Sequence, residues 1–163
     1  MRSNRKLILM CLVAVLGIVS CSMSDVRKVF VRVGDATDNV YSFDFELADS
    51  LTAYDFGFFT TMDRNLWDIN SIESSFPMHV VWTSPSGETF SEKVWFVMND
   101  DEKAPKTVRP SITRQSFFSR QYIVDYRSGF QTSDLGMWNV TVTLENKVEG
   151  MSGLGICYTN GTR

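Results

Sequence analysis

Tyr41-Ser42-Phe43-Asp44-Phe45-Glu46-Leu47 alternates apolar and polar side chains for seven residues without a break. Successive side chains of an extended chain point to opposite faces, so this spacing predicts a β-strand with one dry face and one wet face. The same period recurs in both directions along the chain. Val29, Val31 and Val33 alternate with Phe30 and Arg32, and Tyr54, Phe56 and Phe58 alternate with Asp55 and Gly57. Tyr122, Val124 and Tyr126 form another stripe, and Trp138, Val140, Val142 and Leu144 face away from Asn139, Thr141 and Thr143. Leu154, Ile156 and Tyr158 make the last one. Met78–Thr83 and Thr89–Met98 flank Ser84-Pro85-Ser86-Gly87, where proline presets the first turn dihedral and glycine accepts positive φ, so these two strands form a hairpin. The sequence therefore predicts an all-β chain, a single antiparallel β-sandwich of about eight strands, jelly-roll or immunoglobulin-like. Residues 61–76 and 99–119 read as the long connections, with Ser111 to Ser119 as the place for a helical turn.

The N-terminus carries a different signal. Arg2, Arg5 and Lys6 precede an apolar run from Leu7 to Val19, 13 residues long. That is too short to cross a bilayer as a helix of about 20 residues, and it has the form of a secretory signal. Ile18-Val19-Ser20-Cys21 fits a bacterial lipobox, in which Cys21 becomes the acylated first residue of the mature chain. The expected organisation is a lipoprotein signal peptide at 1–20, a lipidated tether at 21–25 and a β-sandwich domain at 26–163.

Cleavage before Cys21 removes three basic residues and no acid, so the 16 Lys and Arg fall to 13 against an unchanged 19 Asp and Glu, a net charge of −6. Such a chain repels phosphate backbones, which excludes nucleic acid as a partner. The membrane is then reached through the N-terminal lipid. Loss of Cys11 with the signal and acylation of Cys21 leave Cys157 without a thiol partner. Cys157 lies in an apolar run and reads as a small buried hydrophobe rather than a nucleophile.

No catalytic residues, cofactor or metal emerge from the motifs. His79 is the sole histidine and falls on the wet face of a strand. One histidine and one usable cysteine do not build the usual zinc site. Asp63, Asn65, Asp68 and Asn70, and separately Asp100, Asp101 and Glu102, are oxygen donors in loops, but neither group has the glycine and glutamate spacing of an EF-hand. They read as solvated turn residues. Of four tryptophans, Trp82 and Trp138 lie on core stripes, whereas Trp95 faces away from Val94 and Phe96 and Trp67 lies in a loop. Trp67 and Trp95 are therefore the candidates for a ligand-binding surface, with stacked sugars as the natural class.

The layout resembles the GldH gliding-motility lipoprotein family of Bacteroidetes. The resemblance rests on the lipobox at Cys21, the early strand Phe43-Asp44-Phe45-Glu46-Leu47 followed by Asp49, and the central hairpin at Pro85-Ser86-Gly87. Gly136-Met137-Trp138-Asn139-Val140-Thr141-Val142 and the closing Gly153-Leu154-Gly155-Ile156 complete it. The segment Ser75-Phe76-Pro77-Met78 is a reduced version of the family's aromatic-rich stretch, and a glycine-rich stretch is not evident between Asp100 and Ser119. The resemblance implies a non-enzymatic outer-membrane protein, lipid-anchored and working beside other envelope proteins of the gliding and secretion apparatus. The tether lacks a run of acidic residues after Cys21, which points to the periplasmic side. The alternative expectation is a carbohydrate- or ligand-binding surface lipoprotein that uses Trp67 and Trp95.

Overall fold

In the computed structural model, the described residues are 26–63, 75–98, 110–115 and 118–160. The alternating stretch at 41–47 forms most of β2 (Val40–Leu47), and burial follows its alternation. Tyr41, Phe43, Phe45 and Leu47 are buried, while Ser42, Asp44 and Glu46 are exposed. The other strands are β1 (Arg27–Arg32), β3 (Tyr54–Asp63), β4 (Ser75–Thr83), β5 (Thr89–Val97), β6 (Pro110–Gln115), β7 (Ser119–Phe130), β8 (Gly136–Leu144) and β9 (Met151–Asn160). They form two antiparallel sheets: a five-stranded one in the order β1-β9-β3-β7-β6 and a four-stranded one in the order β2-β8-β4-β5.

The pairing is nested. β1 pairs with β9, β2 with β8, β3 with β7 and β4 with β5, as if one long hairpin had been wound into a sandwich. That nesting is the jelly-roll arrangement, with β6 added at the outer edge of the larger sheet. It decides between the two sandwich types that periodicity left open. Nine strands are present among the described residues, in keeping with the expected eight or so. The connections differ from the sequence expectation, because Pro110–Gln115 pairs with β7 instead of forming a helical turn. The segment carries Ile112 and Thr113 but no apolar alternation, and its edge position asks for none. Likewise β3 runs on to Asp63 and β4 begins at Ser75, so the connection between them is shorter than 61–76.

The core between the sheets is dominated by aromatic rings. Trp82, with no exposed surface, meets Phe45, Phe56 and Trp138 edge-on at centroid separations of 5.7, 4.9 and 6.0 Å. Such pairs are worth about 0.5–1.5 kcal/mol each beyond the area they bury. Trp138 donates its indole N–H to the Asp134 carbonyl at 2.9 Å, which fixes the loop that brings the chain from β7 to β8.

Two turns set the register. Between β4 and β5, the Gly87 amide donates to the Ser84 carbonyl at 2.9 Å and the Ser84 amide to the Glu88 carbonyl at 2.8 Å. Gly87 has φ +88°, a conformation glycine adopts without strain. Asp134 accepts from the Ser86 amide and hydroxyl at 3.1 and 2.6 Å, pinning this hairpin to the β7–β8 loop. Between β1 and β2 the chain changes sheets through a 3₁₀ turn at Val33–Asp35 and a tight turn in which Asp38 and Asn39 are in the left-handed region. Asp and Asn tolerate that region because their short side chains bond locally.

Candidate functional site

The sequence nominated Cys21, Trp67 and Trp95. Cys21 and Trp67 lie outside the described residues, as do Asn65, Asp68, Asn70, Asp100, Asp101 and Glu102. Trp95 is placed as the alternation required. It stands on the outer face of the four-stranded sheet, across from Pro77 of β4, with 40% of its surface exposed, while Phe96 beside it is fully buried. His79 is exposed on the same sheet face, opposite Lys93 and Thr143. Lys93 makes an ion pair with Glu145. Among the described residues no group of three histidine, cysteine or acidic side chains could hold a metal ion. No helix among them is long and apolar enough to cross a membrane.

Beside Trp95 the two sheets part between β5 and β7, leaving a cleft of about 210 Å³. Phe58, Met78, Val94 and Val124 give it an apolar lining, and Glu92, Asp125 and Tyr126 supply polar groups. Glu92 is the unexpected member. It sits on the inward stripe of β5 between Phe90 and Val94, where alternation calls for an apolar residue. Its carboxylate accepts from the Tyr126 hydroxyl and the Arg127 guanidinium. The Tyr126 hydroxyl in turn accepts from the Trp82 indole N–H at 3.0 Å. Burial, reinforced by the bond to Glu92, pushes the Tyr126 hydroxyl well above the ordinary tyrosine range, so it stays protonated and keeps donating.

Arg127 closes the arrangement. Its guanidinium carbon lies 5.6 Å from the Trp82 ring centre, 5.1 Å from Phe90, 5.5 Å from Tyr126 and 6.0 Å from Phe130. A planar cation among aromatic faces, held by one carboxylate, is a stable clamp between β7 and β5. Arg127 and Glu92 side chains are 31% and 36% exposed, so solvent weakens the ion pair itself. Neither Glu92 nor Arg127 is singled out by any motif in the sequence. The signal available was the charge that interrupts the apolar stripe Phe90, Val94, Phe96.

A second group of residues gathers on the outer face of the five-stranded sheet. Phe59 is 4% exposed although it points away from the core cluster. Its ring lies over Gly155, where an added Cβ would come within 2.3 Å of a ring carbon. Phe30 of β1 stacks beside it with centroids 5.7 Å apart, and the Lys28 ammonium sits 5.5 Å from the Phe59 ring centre. Cys157 is on this face too, opposite Lys28 in the register, and its thiol bonds to the Gly57 carbonyl at 3.4 Å. It is buried as expected, but outside the inter-sheet core cluster. Burial pushes the thiol pKa up, against the smaller opposing pull of Lys28. The basic neighbour missing from the local sequence is thus supplied by β1, and burial outweighs it.

The chain matches no family model, no curated protein and no solved structure.

Proposed function

We propose that this chain is a non-enzymatic, lipid-anchored envelope protein of the GldH gliding-motility type, held in the outer membrane, facing the periplasm and acting through contacts with other envelope proteins. The observation that carries the reading is the join between the lipobox and the domain. Strand β1 begins at Arg27, six residues after Cys21, so at no more than ~3.5 Å per residue the folded domain stays within about 20 Å of the bilayer. A rigid sandwich on so short a leash works on neighbours at the membrane surface.

The decisive experiment is fractionation of cells expressing Cys21→Ala. The variant moves to the soluble fraction with its domain folded, because the β core does not contain the anchor. Retention in a membrane pellet that resists salt and carbonate would overturn the assignment. Protease added to intact cells spares the native protein if it faces the periplasm.

The second reading is binding of a carbohydrate or similar ligand, favoured by the exposed Trp95 beside an apolar cleft with polar groups. Binding on a glycan array that disappears in Trp95→Ala would select it over the first.

A further inference from the structure

The mature chain is acidic, yet the strand nearest the proposed anchor is basic on its outer face. Val29 and Val31 of β1 pack against the core, so the alternation sends Lys28, Phe30 and Arg32 outward, and all three are exposed, Phe30 by 41%. The adjoining strand adds no charge to this face. Opposite Lys28, Phe30 and Arg32 the register places Cys157, Gly155 and Gly153. The acids of the same sheet surface are farther away. Asp55 and Asp63 belong to β3, two strands over, and Asp125 to β7, three strands over. At about 4.8 Å per strand those separations are roughly 10 and 14 Å, comparable to or beyond the screening length at physiological salt. The acids that flank β1 in sequence are Asp25, in the tether, and Asp35, which lies past the end of β1 in the 3₁₀ turn; neither belongs to the strand itself.

We infer that the outer face of β1, through Lys28, Phe30 and Arg32, rests on the anionic headgroups of the bilayer that holds the lipid at Cys21. The inference builds on the anchored reading, which supplies the short tether. Three features favour this occupant. The tether delivers β1 to the membrane at high effective concentration, so weak contacts suffice. Two cations flanking an exposed ring suit an interface where phosphates lie above acyl chains: the cations meet the headgroups and the ring enters the boundary. The remaining charge of the domain is net negative, and repulsion from an anionic surface turns the rest of the molecule outward. Each cation near such a surface strengthens binding about fivefold. The consequence is a fixed pose, with the Trp95 face of the other sheet turned away from the membrane.

The test couples the Cys21 thiol of the mature chain to a maleimide lipid in preformed vesicles, so that tethering does not depend on acylation in cells. Buried Cys157 does not compete for the reagent. One set of vesicles is phosphatidylcholine alone, and the other is equal parts phosphatidylcholine and phosphatidylglycerol. Acetylation of Lys28 by a water-soluble reagent is read by mass spectrometry against Lys93, which lies on the other sheet's outer face. The expected result is Lys28 modified about tenfold more slowly, relative to Lys93, on phosphatidylglycerol vesicles than on phosphatidylcholine, with the difference lost in Arg32→Glu. Arg32 is exposed, so that variant folds, and an unchanged circular dichroism spectrum confirms it. Equal Lys28 reactivity on the two surfaces, or protection that survives Arg32→Glu, overturns the inference. The anchor is read separately, from the mass of Cys21 in protein taken from cells.

Discussion

The outer faces of the two sheets are built on opposite rules. On the four-stranded sheet the face is polar and bonded within itself. The Asn139 amide donates to Ser42 Oγ at 2.8 Å and to Asp44 Oδ1 at 2.7 Å, and Thr141 Oγ1 donates to Asn139 Oδ1 at 2.9 Å. On the five-stranded sheet the corresponding face is a trough of glycines filled by Phe30 and Phe59. A polar face satisfies its groups with neighbours and water, and any apolar residue opposite it is unambiguously core. An aromatic ring laid over glycine buries carbon on the side the alternation assigns to water. Burial then runs almost unbroken along β3 and β9, and phase can no longer be read from burial alone. Hydrophobic alternation therefore reports the sheet whose second face is wet.

The largest effect is expected on the dry side of the four-stranded sheet. Trp138→Ala removes a buried ring and is expected to cost about 3–5 kcal/mol, whereas Thr141→Ala on the opposite face costs about 0.5. Equal midpoints in urea unfolding would show that the strand phase assigned to β8 is wrong.

Next in size is a change in the glycine trough. Gly155→Ala forces the Phe59 ring off the sheet and is expected to cost about 1–3 kcal/mol, the range of overpacking. Combining it with Phe59→Ala should recover part of that loss, since the ring atoms nearest the added methyl are then gone. Strict additivity in the double-mutant cycle would disconnect the two residues and the trough with them.

The clamp at the cleft gives an effect of the same order. Tyr126→Phe leaves the indole N–H of fully buried Trp82 without its acceptor and deprives Glu92 of a donor, at an expected cost of about 1–3 kcal/mol. Thermal unfolding of this variant beside Phe90→Leu separates the lost hydrogen bonds from lost packing around Arg127.

The least effect is one of pH. Hydrogen bonds from Ser86 and Ser84 hold the Asp134 carboxyl below its ordinary value of 3.8. A carboxyl depressed in the folded state adds stability that is complete above its unfolded value and vanishes as pH falls through the folded one. Asp134→Asn should therefore be slightly less stable than the native chain at neutral pH, with the gap closing below about pH 4. A gap that widens on acidification would contradict the assigned role of the turn.

Much of this was legible in the sequence for a physical reason. β2 and β8 carry strict alternation, so Tyr41, Phe43, Phe45, Trp138 and Val140 were identifiable as core from order alone, and Trp95 was identifiable as exposed because its neighbours were not. Ser84-Pro85-Ser86-Gly87 announced its hairpin through backbone preferences that act within four residues. β6 was not legible, because Pro110–Gln115 is short and carries no apolar alternation in its sequence. Glu92 and Arg127 were not legible as a pair, because 35 residues separate them and nothing local states that β5 and β7 will meet.

The order of residues by itself determined the all-β class, the dry face of most strands and the central hairpin, since each depends on dihedral preference or on neighbours two positions away. Only the tertiary structure decided that β1 returns to β9 and β2 to β8, which makes the sandwich a jelly roll. It alone set Phe59 down on Gly155, gathered four rings around Arg127 and put Lys28 across from Cys157. Those are contacts between distant parts of the chain, and their free energy exists only once both sheets have formed.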